Sequence, residues 1–286
     1  MGVLKTAKFA MPSSRVQSVL TIGVNTDYHP DMKSNHLSKA YKKQEIMDSL
    51  PQEHSLVNRC LAEFVATTLF VFLGVGQALS FTGGDSVLHA AFAHGLAIFL
   101  LVAAFGRISG GHINPAVTLG VTLVRRISPI TAVCYILSQL AGSFVGALMT
   151  RAIASTSTPG NIGATLVAAP FHWYNAVFAE TVTTMILVLV VLLTAIDPEK
   201  HVLAALAIGM TVCADILTIS SISGAAMNPA RSFGPNIVGS LFVDNALLPD
   251  NYWGFHFVYY LGPFLGALIA AAIYRVFFAS DERIMA

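Results

Sequence analysis

The triplet Asn-Pro-Ala occurs twice, at Asn114-Pro115-Ala116 and at Asn228-Pro229-Ala230. Proline suits the first turn of a helix, where its missing N–H would have no partner anyway. Asparagine just before it is a good cap. Each triplet therefore predicts the start of a short helix. A single such cap would be an ordinary structural feature, but two in matching surroundings predict a pair of helix ends that face each other. Their positive dipole ends would then meet, and the Asn amides could donate hydrogen bonds into a shared space. A water held there would accept from both amides and be badly placed to relay a proton. Cations would meet a positive potential.

Arg231 directly follows the second triplet. A guanidinium among apolar residues is costly unless it faces a wet cavity or a partner. It offers fixed donors and repels cations. Glu63 and Glu180 lie in two other apolar stretches. A bare carboxylate there must find donors. Both are expected to brace the triplet segments by accepting from their backbone N–H groups. Asp215 stands beside Ile216 without an assigned role.

The elements that must position these residues follow from composition and hydropathy. The chain has 286 residues, 55% hydrophobic and 11% charged. A soluble domain carries about 25% charged residues, so a membrane protein is expected, with the lipid bilayer as its medium. A net charge of +1 gives no reason to expect a nucleic-acid partner. Cys60, Cys134 and Cys213 lie in or beside apolar stretches and lack zinc-ligand spacing. They read as small buried residues, with no disulfide framework. No metal set, cofactor motif or nucleophile–base pair is apparent, so no metal, no cofactor and no enzyme activity are expected.

Six stretches have the roughly 20 apolar residues that a spanning helix needs, near 60–82, 88–106, 130–151, 172–196, 202–220 and 255–279. Two shorter segments, near 108–124 and 222–240, begin with a Ser-Gly turn and then run apolar. They read as loops that enter the membrane and return. Such backbone survives at depth only when buried in protein or lining a wet cavity.

The chain repeats itself. Residues 108–120 read ISGGHINPAVTLG and residues 222–234 read ISGAAMNPARSFG. AEFVATT at 62–68 matches AETVTTM at 179–185, and AGSFVGAL at 141–148 matches LGPFLGAL at 261–268. Matches in the same order imply two homologous halves, near 60–151 and 172–279. With three spans each, the halves must be inverted, which puts a shared site near the midplane. The fold class expected is an all-α membrane protein with six transmembrane helices and two re-entrant half-helices in inverted 3+3 repeats. Placing both termini in the cytoplasm puts most Lys and Arg on that side, as the positive-inside bias expects. Residues 1–54 read as a polar, largely disordered cytoplasmic tail, 55–279 as the channel domain, and 280–286 as a short cytoplasmic tail. Gly142, Gly146, Gly262 and Gly266 are spaced for close helix crossing.

SGGHINPAVT and SGAAMNPARS resemble the signatures of the aquaporin (major intrinsic protein) family, and the resemblance runs from about Cys60 to Phe278. It implies a homotetramer with one pore per subunit, passing water and small neutral solutes. It also implies a second constriction, with His94, Ile216, Ala225 and Arg231 at its four positions. These residues resemble the filters of the aquaporin-eight branch and of plant vacuolar intrinsic proteins. That likeness implies permeability to ammonia as well as water, with hydrogen peroxide as a further candidate. The family's glycerol channels usually place Asp after the pore arginine and Pro-Leu in the sixth helix. Here Ser232 and Tyr259-Tyr260 stand there. Asn236 is a departure, because the family's water channels often have Ala at that position. Ala225 stands where many members carry a mercury-sensitive Cys, and Cys213 would react only if it reached the lumen. The alternatives are a glycerol-type channel, a coupled transporter, or a junction protein on the same fold. The host membrane is expected to be the plasma membrane or an intracellular one.

Overall fold

The computed structural model describes residues 54–80, 83–154, 163–196, 203–243, 248 and 252–279. Apart from His54, the tails expected over 1–54 and 280–286 lie outside the described residues.

Among the described residues eight helices follow in order, several opening where local chemistry favours it. α1 (Leu56–Gly76) opens on Ser55, whose hydroxyl accepts from the Asn58 N–H at 3.2 Å. α2 (Ser86–Phe105) opens on Asp85, which accepts from the Val87 and Leu88 N–H groups. α3 (Pro115–Leu123) and α7 (Pro229–Phe242) open on Asn114 and Asn228, each with proline in the first turn. α4 (Pro129–Ile153) opens on Ser128. α5 (Trp173–Val191) continues in a wider turn over Leu192–Ile196. α6 (Ala204–Ser223) stops at Gly224, whose left-handed φ of 78° ends the helix. α8 (Val258–Ile273) continues to Phe278.

Six of these elements are long and apolar enough to cross a membrane: α1, α2, α4, α5, α6 and α8. Their outer faces expose large apolar side chains, including Ile130, Phe178 and Phe277 at more than 70%. Water would penalise so much exposed apolar surface, and lipid does not. α3, with 9 residues, is about 14 Å long at 1.5 Å per residue, roughly half of a hydrocarbon core. The expected spans thus stand in number and order, with shifted ends. The last begins at Val258 rather than near 255. Before it the chain makes tighter three-residue turns, His256 N–H to Trp253 and Val258 N–H to Phe255. Hydropathy cannot tell such turns from an α-helix.

The two halves pack alike. α1 lies on α4 where Gly142 and Gly146 meet the Phe64 and Thr68 carbonyls. α5 lies on α8 where Gly262 and Gly266 meet the equivalent Val177 and Thr181 carbonyls. A third crossing joins the halves, where Gly95 of α2 and Gly209 of α6 each face the other's carbonyl. A Cβ at Gly266 would lie 2.5 Å from the Thr181 oxygen and 2.8 Å from the Met185 nitrogen. Both are backbone atoms and cannot rotate aside. Gly266→Val is expected to cost on the order of 1–3 kcal/mol through overpacking. The check is a lowered midpoint in detergent thermal unfolding, compared with Ala at exposed Leu268.

Candidate functional site

The turns leading into α3 and α7 hold unfavourable backbone. Ile113, Ala225 and Met227 have φ of 55°, 51° and 51°. A β-branched residue in this region is a true outlier, and each such position costs about 1–3 kcal/mol. What offsets this is a carboxylate beneath each turn. Glu63 accepts from Ser109 Oγ at 2.5 Å, the His112 and Ile113 N–H groups at 3.0 and 2.7 Å, and Gln139 Nε2 at 2.8 Å. Glu180 accepts from Ser223 Oγ at 2.6 Å and the Ala226 and Met227 N–H groups at 2.8 and 2.6 Å. Both carboxylates are wholly buried. Two tyrosines complete the pattern: Tyr135 donates to the Ser109 carbonyl and Tyr259 to the Ser223 carbonyl.

The asparagines join the two helix ends directly. Asn114 Oδ1 accepts from the Ala116 N–H at 2.8 Å, and its Nδ2 donates to the Met227 carbonyl at 2.8 Å. Asn228 Oδ1 accepts from the Ala230 and Arg231 N–H groups, and its Nδ2 donates to the Ile113 carbonyl at 3.0 Å. Each side chain thus caps its own helix and clasps the opposite loop. A primary amide has two N–H donors, so one remains on each for a solute. Pro115, Ala116, Pro229 and Ala230 are all buried at the junction, and the Ala230 carbonyl accepts from Ser143 Oγ.

A cavity of about 490 Å³ runs from Asn114 and Asn228 to Arg107, Arg126 and Ala204 near the ends of α2, α3 and α6. Its walls are mostly apolar, including Ile98, Val117, Leu187 and Val212, with His112 and Arg126 among the polar groups.

Arg231, in the first turn of α7 three residues after Asn228, is 8% exposed. Its Nη1 donates to the Gly163 carbonyl at 2.7 Å, and its Nε has no partner among the described residues. His94 Nδ1 lies 2.9 Å from the Ala90 carbonyl. A carbonyl can only accept, so Nδ1 carries a hydrogen and Nε2 of the neutral ring is an acceptor. That Nε2 is buried without a partner among the described residues. The ring packs edge-on to Phe70 and lies over Gly74. Ile216 is buried on α6 one turn beyond Val212, which lines the cavity. Ala225 is buried in the strained turn before Asn228, its N–H on Ser223 Oγ. Asp215 is buried, one carboxyl oxygen having no partner among the described residues. Cys213 faces the α2 crossing at Gly95.

The sequence reading did not identify Ser109, Ser223, Gln139 or Tyr135, and it noted Tyr259 only against a glycerol channel. Ser109 and Ser223 occupy matching places in the repeated Ile-Ser-Gly, which was an available signal. Gln139 carried none. Among the described residues no cluster of His, Cys, Asp and Glu could hold a metal.

Residues 51–274 match the major intrinsic protein family. A probable aquaporin TIP1-2 of Oryza sativa subsp. japonica is 41% identical, with 78% of this chain and 87% of that one aligned. Aquaporin-8 of Rattus norvegicus is 36% identical, with 79% of this chain and 83% of that one aligned. The crystal structure of the aquaglyceroporin from Plasmodium falciparum superposes with a TM-score of 0.71, at 24% identity, covering 81% of this chain and all of that one. At that identity it speaks for the fold alone.

Proposed function

The chain belongs to the major intrinsic protein family, and we propose that it is a passive channel for water that also admits ammonia, with hydrogen peroxide as a further solute. Membership makes it an integral, multi-pass membrane channel and not an enzyme. The solute reading is supported by the chemistry of four buried residues, Arg231, His94, Ile216 and Ala225, taken together as the wall of one constriction. The guanidinium donates, the free Nε2 of His94 accepts, and Ile216 and Ala225 add apolar surface. Water and ammonia both donate and accept and are of similar size. Ammonia, less strongly hydrated, loses less than water beside an apolar wall. The two asparagine amides supply donors from opposed helix ends, which oppose cations and orient a passing water against proton relay.

Two contacts favour this reading over a glycerol channel. Ser232 takes the place after Arg231, and its Oγ is engaged by Thr165 Oγ1 at 2.8 Å. Tyr259, where the glycerol channels usually carry proline, uses its hydroxyl on the Ser223 carbonyl at 2.7 Å. The channel domain of 55–279, cytoplasmic termini, a homotetramer, and residence in a plasma or intracellular membrane belong to the same proposal. The last three rest on charge bias and family resemblance.

Stopped-flow light scattering on proteoliposomes tests it, under water, ammonia and glycerol gradients. Fast water and ammonia flux without glycerol flux is expected. Arg231→Ala and His94→Ala are expected to widen the solute range, admitting glycerol or urea. Folded protein with no flux above empty liposomes would turn the reading toward a junction role on the same fold.

A further inference from the structure

We infer that Asn236 is a positioning residue for the Arg231 guanidinium and thereby sets which solutes pass, an inference that rests on the proposed filter. Arg231 is held by the carbonyl of Gly163 at 2.7 Å. Gly163 belongs to the connection between α4 and α5, outside any helix, with φ of 72°. A carbonyl on such a segment is only as well placed as the bonds that fix the segment.

Those bonds converge on Thr165, two residues away. Its N–H donates to Asn236 Oδ1 at 3.1 Å, and its carbonyl accepts from Asn236 Nδ2 at 3.3 Å. The side-chain amide thus pairs with the Thr165 backbone as another peptide group would, using one donor and one acceptor. Thr165 Oγ1 meets Ser232 Oγ at 2.8 Å. Ser232 and Asn236 stand one turn apart on α7 and so share a face. A second tie, the Ala168 N–H to the Ile222 carbonyl at 3.0 Å, fixes the far end of the segment.

Asn236 is itself held from behind. Tyr252 donates its hydroxyl to the Asn236 carbonyl at 3.0 Å. Burial pushes that hydroxyl up to about 12, so it remains a donor at any ordinary pH. Asn236 is completely buried and does not line the 490 Å³ cavity. Its influence on a solute therefore passes through the loop and Arg231. An alanine there would leave the Thr165 N–H and carbonyl without their partners. The segment would then be free to move, taking the Gly163 carbonyl with it. This gives a physical role to the residue that departs from the alanine common in the family's water channels.

The test is a double-mutant cycle in proteoliposomes with Asn236→Ala, Arg231→Ala and the pair. Urea and glycerol flux are read against water flux per folded protein. The single Asn236→Ala is expected to keep water flux within about two-fold while raising urea flux several-fold, and the pair is expected to equal Arg231→Ala alone. A purely structural asparagine would not make the effect vanish in the Arg231→Ala background. Additive effects would overturn the inference and leave the filter standing, as would unchanged selectivity in Asn236→Ala. Unchanged selectivity in Arg231→Ala would overturn the filter and the inference together. Should Asn236→Ala fold poorly, Thr165→Val removes only the hydroxyl contacts. A smaller change of the same sign supports the inference, and none overturns it.

Discussion

Glu180→Ala is expected to eliminate most of the folded protein. The substitution strips acceptors from the Ala226 and Met227 N–H groups and the Ser223 hydroxyl at once. Each buried donor left without a partner costs about 1–3 kcal/mol. Together they consume much of the roughly 5–15 kcal/mol that separates folded from unfolded states. The turn they restrain also carries positive φ at Ala225 and Met227, strain that remains when its support is gone. Glu180→Gln keeps an acceptor oxygen and is expected to be intermediate. Glu63→Ala is expected to fail in the same way, since it strands the His112 and Ile113 N–H groups, Ser109 and Gln139. Yield of monodisperse protein and the thermal midpoint in detergent give the readout. A midpoint unchanged by Glu180→Ala would mean that the loops hold their shape without the carboxylate.

Gly74→Ala is expected to narrow the pore and lower water flux roughly tenfold while leaving the fold intact. A Cβ on Gly74 would lie 2.5 Å from His94 Cδ2 and 2.7 Å from Nε2. Those atoms belong to a ring that can swing, so the ring gives way rather than the backbone. Phe70, on α1 with Gly74, stands edge-on at 5.8 Å, so the ring is expected to move away from α1. Relief of about 1–3 kcal/mol of overpacking would then narrow the constriction. A comparable rise in the barrier to a passing water lowers flux roughly tenfold, since 1.4 kcal/mol is a factor of ten. The double substitution Gly74→Ala/His94→Ala is expected to restore water flux. Full flux in Gly74→Ala alone would place the His94 ring outside the constriction.

The spans, the paired Asn-Pro-Ala triplets and the inverted repeat were all legible in the chain, because each has a local cause. Twenty apolar residues need lipid, proline after asparagine opens a helix, and a repeated segment folds alike twice. The likeness of Glu63 and Glu180 was legible for the same reason. Their donors were not named residue by residue, because the hydrogen-bond partners of Glu63 lie 46 to 76 residues away in sequence. The reciprocal clasp of Asn114 on Met227 and Asn228 on Ile113 joins residues 113 and 115 positions apart. No periodicity reports such a pair.

What the sequence by itself determined is the class of the molecule: a membrane-embedded bundle in two inverted halves, with two capped half-helices and one arginine beside the second. Hydropathy, capping and repetition act within a turn or two of helix, and they suffice for that. Only the tertiary structure decided that Gly74 makes room for His94, that Gln139 supports Glu63, and that Asn236 grips the loop that holds Arg231. These depend on which backbone atoms approach when helices cross, and that distance is a property of the packed assembly rather than of any segment in it.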